Sequence, residues 1–369
     1  MLPSDSNLYR DSRIYRRSRR NQRKRVRLLI VICILILIIV YFLWPSSSGG
    51  NSPRSSTSTV AGSTTTTLAP MIQAQNLPIV LTVDVSREAV VFDPSLSTSS
   101  LILVGGLFAS GTTTPNVATV NYTSGAETLL GTMAQPVHDT TAQIEGNSLI
   151  VLGGGATSVL ASVQLGTFNG LGPNSMSFTQ GQGMPQPRAD LTSVVHNGQI
   201  YVLDGYDGNT MDGAILSTSA GATFNSVGTL SVPIRYGAAV ATTNAIYVFG
   251  GLNQSGQIVT TIQRYSFRKK NTTIVGNLPV GLAGASVGLL SNNIYLAGGQ
   301  SANGTSSAIY EFNTKTNQIG NAGTMAIPEA YAGYTVANNN LYIVGGENAG
   351  KLTNNIQQLT PNLTLGHVS

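Results

Sequence analysis

Ile246-Tyr-Val-Phe-Gly-Gly251 is a short β-branched and aromatic run stopped by two glycines, and versions of it return five more times. They are Leu101–Gly106 (LILVGG), Leu149–Gly154 (LIVLGG), Ile200–Gly205 (IYVLDG), Ile294–Gly299 (IYLAGG) and Leu341–Gly346 (LYIVGG). The first glycine, or Asp204 in its place, recurs at intervals of 48, 51, 46, 48 and 47 residues. Such runs suit a pleated, half-buried strand, and a fixed period of this length marks a repeat architecture. A second landmark, a proline, precedes five of the runs: Pro136, Pro187, Pro233, Pro279 and Pro328. Between proline and glycines lie a strand-like run, a turn such as Asn197-Gly198 or Asn292-Asn293, and a second run. Asn and Gly tolerate the positive φ of tight hairpins. Two more strand-like runs follow each glycine pair. Four antiparallel strands per repeat make one propeller blade, so the sequence predicts an all-β, six-bladed β-propeller over residues 76–369.

The pattern resembles the kelch repeat family, over roughly Gln75–Leu365. A kelch repeat joins four hydrophobic residues and a double glycine to a spaced aromatic pair. Tyr122, Phe168, Tyr265 and Phe312 match the first aromatic position, while Leu129, Phe178, Phe224, Ile274 and Ile319 stand where the family places tryptophan. The resemblance implies a six-bladed kelch-type propeller with blade-to-blade loops and post-glycine loops on one face. Gln75-Asn76-Leu77-Pro78 echoes Gly276-Asn277-Leu278-Pro279, which ends an outer strand. Residues Gln75–Leu81 are therefore expected to close the ring as the outer strand of the last blade; the alternative donor is Thr364–Ser369.

Upstream, the chain changes character. Residues 1–27 hold ten Lys/Arg against Asp5 and Asp11. Leu28–Trp44 (LLIVICILILIIVYFLW) has no charge and no helix breaker, which predicts a single transmembrane signal-anchor helix slightly short of the ~30 Å hydrocarbon core. The positive-inside rule puts the N-terminus in the cytoplasm and the propeller outside the cell membrane. A cleaved signal peptide would want an A-x-A-like site, where WPSSSGG stands instead. Residues 45–75, rich in Ser, Thr and Gly, read as a disordered linker.

From Met71 onward nine Lys/Arg face thirteen Asp/Glu, so the overall charge of +5 belongs to the tail and argues against a nucleic-acid partner. The one cysteine, Cys33, lies in the apolar segment, so the large domain has no disulfide or thiolate. With three histidines (His138, His196, His367) and no cysteine, it lacks the ligand set implied by resemblance to galactose-oxidase-like copper enzymes, and it lacks a zinc set. The run Ser217–Phe224 resembles an Asp-box turn with Ser219 at the aspartate position. Sequons occur at Asn121, Asn253, Asn271, Asn303 and Asn362.

Fourteen residues before each first-glycine position stand Asp139, Asp190, Tyr236, Gly284 and Tyr331. An insertion, Asp93–Ser100, disturbs the count in the first repeat, whose equivalent is read as Asp84. With the neighbouring His138, Arg188, Arg235 and Glu329, these residues are expected to line one mouth of the channel. Asp204, Asp207 and Asp212 alternate with glycines and form a weak candidate for a hard cation such as Ca2+; acidic residues also serve loops conformationally. No other cofactor is expected. The sequence favours a non-enzymatic, membrane-anchored binding module for protein or glycan. The competing reading is an extracytoplasmic enzyme acting on a sugar or peptide, of lyase, cyclase or epimerase type. A third is a structural partner in an envelope complex.

Overall fold

A computed structural model describes residues 71–362. The basic tail, the expected membrane span Leu28–Trp44 and most of the linker lie outside the described residues. The described part is entirely β. Blade one comprises Ala89–Val91, Ser100–Val104, Asn116–Asn121 and Glu127–Thr132, and blade two Thr141–Glu145, Ser148–Leu152, Val163–Phe168 and Met176–Gln180. Blade three runs Thr192–His196, Gln199–Leu203, Ala214–Thr218 and Asn225–Thr229; blade four runs Ala238–Ala241, Ala245–Phe249, Thr261–Ser266 and Asn271–Asn277. Blade five is built from Ser286–Leu290, Asn293–Ala297, Ala308–Asn313 and Gln318–Thr324. Each first strand touches the first strands of both neighbouring blades, and that of blade six, Gly333–Ala337, returns to Ala89–Val91. Six blades thus close a ring around a central channel.

Blade six takes its strands from both ends of the domain. Gly333–Ala337, Asn340–Val344 and Lys351–Pro361 are joined by Ile72–Ser86 as the outer strand. Its register runs from Ile72 opposite Pro361 through Gln75 opposite Gln358 to Val85 opposite Thr353, with bulges on the way. The N-terminal segment therefore closes the ring, as its proline motif suggested. It begins at Ile72, inside the stretch read as linker. Closure leaves blade six without the exposed edge that a three-stranded blade would present.

Apolar burial is divided among the blade junctions. One cluster packs Val104, Leu130 and Val137 with Leu149 between blades one and two, and each other junction has its own equivalent. A fully buried aliphatic side chain of this kind contributes roughly 1.5–3 kcal/mol. Phe168, Tyr265 and Phe312 are buried as the aromatic pattern required. The positions expected to replace tryptophan are less uniform: Leu129 is 40% exposed and Ile274 50%.

The glycine pairs stitch the junctions. The second glycine, Gly106, Gly154, Gly205, Gly251, Gly299 or Gly346, donates its N–H to a carbonyl of the next blade: Val137, Arg188, Ile234, Leu282, Glu329 or Val85 respectively. The first glycine approaches that same carbonyl so closely that a Cβ on Gly250 would stand 2.1 Å from the Leu282 oxygen. Its φ of +61° also disfavours any L side chain. Blade three breaks the rule with Asp204, at φ +51°. Its buried carboxylate accepts from the Thr192 N–H at 2.8 Å and from the Gly237 N–H at 3.0 Å.

A second device alternates around the ring. In blades two, four and six a buried glutamine of the third strand grips the backbone just before a landmark proline, accepting from its N–H and donating to its carbonyl. Gln164 holds Gln135 (2.8 and 3.0 Å), Gln263 holds Val232 (2.9 and 2.9 Å) and Gln357 holds Ile327 (2.9 and 2.9 Å). At the same register blades one, three and five carry Ala118, Leu216 and Tyr310.

Candidate functional site

The segment entering each first strand contributes one residue with positive φ: Arg87 (61°), Asp139 (52°), Asp190 (59°), Tyr236 (56°), Gly284 (61°) and Tyr331 (53°). Their backbones form a closed ring of hydrogen bonds. Each N–H donates to the carbonyl one blade back, from Asp139 to Arg87 at 2.8 Å around to Arg87 to Tyr331 at 2.8 Å. The turn aims these residues at the channel mouth on the face of the glycine-pair loops, here called the upper face. Five of the six are the residues the repeat spacing indicated.

The sixth is a correction. Arg87 holds the place assigned to Asp84, which is an exposed residue of the closing strand. Arg87 lies eighteen residues before Gly105, four more than the spacing elsewhere, because the Asp93–Ser100 insertion lengthens the first hairpin. The signal that would have found it is the apolar residue two positions earlier: Val85 stands to Arg87 as Val137 does to Asp139 and Ile234 to Tyr236.

Arg87 organises the mouth. Its Nε donates to Glu347 at 2.9 Å, and its Nη1 donates to the Tyr236 hydroxyl at 2.8 Å and meets Asp139 Oδ2 at 3.3 Å. Blades one and four face each other in a ring of six, so the bond between Arg87 and Tyr236 spans the channel. The guanidinium also stacks over Tyr331, 5.0 Å from the ring centre. Tyr331 itself lies over Gly284, where a Cβ would come 2.4 Å from its ring, and meets Tyr236 edge-on at 4.8 Å. Arg235 bonds Asp190 at 3.0 Å and covers Tyr206 at 4.8 Å. His138 Nδ1 and the Thr113 hydroxyl share a hydrogen bond of 2.8 Å, and the His138 ring sits 3.5 Å from Asp139.

Burial sets the electrostatics. Desolvation raises both Asp139 and Asp190, and the neighbouring Asp139 charge adds to the rise of Asp190, which reaches about 7. Tyr236 is raised by burial and by the same two carboxylates. Burial works against the charge of Arg87, but Asp139, Tyr236 and Glu347 more than restore it. His138 is lowered by burial and by Arg87. Beneath the ring the channel holds a cavity of about 160 Å³ lined from all six blades. A hydrogen bond of 2.6 Å between Thr141 and Ser193 hydroxyls lies in its wall.

Two expected mouth residues are elsewhere. Arg188 and Glu329 occupy the slot that Val85, Val137, Ile234 and Leu282 fill in the other blades, wedged between neighbours and 1% and 2% exposed. Arg188 pairs with Asp212 at 2.5 Å and donates to the carbonyls of Asp204 (3.1 Å) and Ala214 (2.8 Å). Glu329 accepts from Gln357 at 2.7 Å and Thr353 at 3.0 Å; burial still pushes it up to about 7.

The acidic loop does not assemble as a cation site. Asp204 is committed to two backbone N–H groups, Asp212 to Arg188, and Asp207 caps its own turn by accepting from Asn209 and Thr210. Each carboxylate satisfies a different local donor, so the three do not converge. Among the described residues no group of three ligating His, Cys, Asp or Glu side chains occurs.

These features define a six-bladed β-propeller with a self-paired polar cluster across one channel mouth. No protein-family model matches the chain, and no curated protein matches its sequence. Its fold is similar to the solved structure described as "Structure of YjhT", with a TM-score of 0.64 and 18% identity over 76% of this chain and 96% of that one. That likeness concerns the fold.

Proposed function

We propose that this chain is a divergent kelch-type propeller, displayed outside the cytoplasm on a single N-terminal membrane anchor, that binds a protein or glycan through its upper face. The observation that carries the binding reading is the mouth itself. Arg87 and Tyr236 join across the channel, and Arg188 and Glu329, whose convergence with Arg235 in a channel pocket would favour an enzyme, are buried between blades. What remains accessible is a broad rim in which Arg235, Tyr206, His138 and Glu347 stand among the glycine-pair loops. Aromatic faces beside charged hydrogen-bonding groups suit recognition of a polar ligand. The anchor reading rests on the ten basic residues before Leu28 and the apolar run after them.

Purified full-length protein in detergent should be applied to a glycan panel and to envelope-protein fractions, beside Arg235→Ala and Tyr206→Ala variants. Retention of a defined ligand by the parent and at least tenfold weaker retention by both variants is expected. Turnover of a sugar or peptide with no retained ligand would instead establish the enzyme reading. Protease added to intact cells should remove the propeller; digestion only after lysis would overturn the topology.

A further inference from the structure

The face opposite the glycine-pair loops, the lower face, carries its charge unevenly. The hairpin between the third and outer strands of blade four presents Arg268, Lys269 and Lys270, all exposed, and the same hairpin of blade five presents exposed Lys315. The lower hairpins of blades four, five and six contain no Asp or Glu (residues 241–245, 266–271, 290–293, 313–318 and 337–340). Lower-face acids, Asp93, Glu127 and Glu145, belong to blades one and two. On the upper side the acids are matched by cations: Asp139 and Glu347 pair with Arg87, Asp190 with Arg235 and Asp212 with Arg188. Three of the four lysines among the described residues thus lie in one lower sector.

The same sector is where the chain enters the fold. The closing strand runs from the lower face upward, because Ile72 pairs with Pro361 beyond the lower end of blade six. The Asn362 N–H donates to the Met71 carbonyl at 3.0 Å, fixing that end, and the strand lies beside the outer strand of blade five. Cationic hairpins and the attachment of the preceding chain therefore occupy consecutive blades of one rim. In sequence, 26 residues separate Trp44 from Met71.

We propose that this lower sector of blades four to six docks on an anionic phospholipid surface, leaving the glycine-pair face turned away from the bilayer. The inference rests on the anchor reading above. Each Lys or Arg within reach of such a surface multiplies its partitioning about fivefold, and the attraction fades beyond a Debye length of ~8–10 Å. Four clustered cations on hairpins that carry no carboxylate are enough to choose the face.

The test uses the full chain with Cys33→Ser and a fluorophore on Thr316→Cys, in the blade-five hairpin, or on Ser110→Cys, in an upper loop. Protein is reconstituted into vesicles of pure phosphatidylcholine or with 30% phosphatidylglycerol, each holding a headgroup-labelled quenching lipid. Quenching at Thr316 should rise several-fold with phosphatidylglycerol and that at Ser110 should not. Lys269→Glu with Lys270→Glu should remove the rise while thermal unfolding stays unchanged. Equal quenching in both lipids, or a rise indifferent to the charge reversal, overturns the docking. Flotation separates this from the anchor: failure to float with phosphatidylcholine refutes the anchor alone, while charge-dependent flotation with phosphatidylglycerol would still uphold the docking.

Discussion

Arg188 and Arg235 stand at nearly the same place in successive repeats, each just after a landmark proline, yet they meet opposite fates. Arg188 lies two residues before its ring residue and is sealed between blades on Asp212 and two carbonyls. Arg235 lies one residue before Tyr236 and reaches the open mouth, its side chain 31% exposed. In extended chain a shift of one residue turns a side chain to the other face. Residue type therefore says little about role here; register against the glycine pair decides it.

Breaking the buried member should cost most. Arg188→Ala takes the guanidinium N–H groups from the carbonyls of Asp204 and Ala214 and the ion-pair partner from Asp212, and about 3 kcal/mol of stability should be lost. Arg235→Ala removes a half-open pair and should cost under about 1 kcal/mol. Urea unfolding of the two variants checks the difference; equal losses would dissolve the distinction between slot and mouth.

The slot also predicts a pH dependence through Glu329. Its folded value of about 7 exceeds the ordinary 4.5, so the folded state holds the proton more tightly than the unfolded chain. Stability is then fullest below about pH 4.5 and falls as pH rises to about 7, by up to roughly 1.4 kcal/mol per pH unit. Asp190 at about 7 and Glu88 at about 8, both raised chiefly by burial, act in the same direction. Melting temperature should thus be higher at pH 5 than at pH 8, and Glu329→Gln should flatten the slope. A slope unchanged by Glu329→Gln would assign the effect to Asp190 and the other buried carboxylates instead.

Blade three offers a finer test. Asp204→Gly restores the glycine of the other five blades but leaves two buried N–H groups, of Thr192 and Gly237, without an acceptor. A loss of about 2 kcal/mol is expected, and a neutral result would mean that relief of the +51° backbone offsets it. Tyr236→Phe, which deletes the bond across the channel, should cost about 1 kcal/mol. Hydrogen exchange of the ring amides should show no general opening.

Much of this was legible in the sequence because it rests on backbone requirements. The glycine pairs mark a carbonyl approach that excludes a side chain, so their period counted the blades. Fourteen residues is the length of one strand, hairpin and strand, so the spacing found five ring members. Where the first hairpin is longer, the count slipped from Arg87 to Asp84. The slot residues were misread because Arg188 and Glu329 look like surface groups in sequence; their partners Asp212, Thr353 and Gln357 come from other parts of the blade. Nor could spacing show that Asp204, Asp207 and Asp212 each had a separate donor, since those donors are mostly backbone N–H groups.

The closing strand has a mechanical consequence. A pull on Met71 away from the lower face acts along the axis of Ile72–Ser86, because the strand rises from that face beside Lys351–Pro361. Its hydrogen bonds are then loaded together in shear, and none is peeled in turn. Anything hung from the upstream chain would hold by the whole length of that ladder, and release would require the ring of six to open at its one seam.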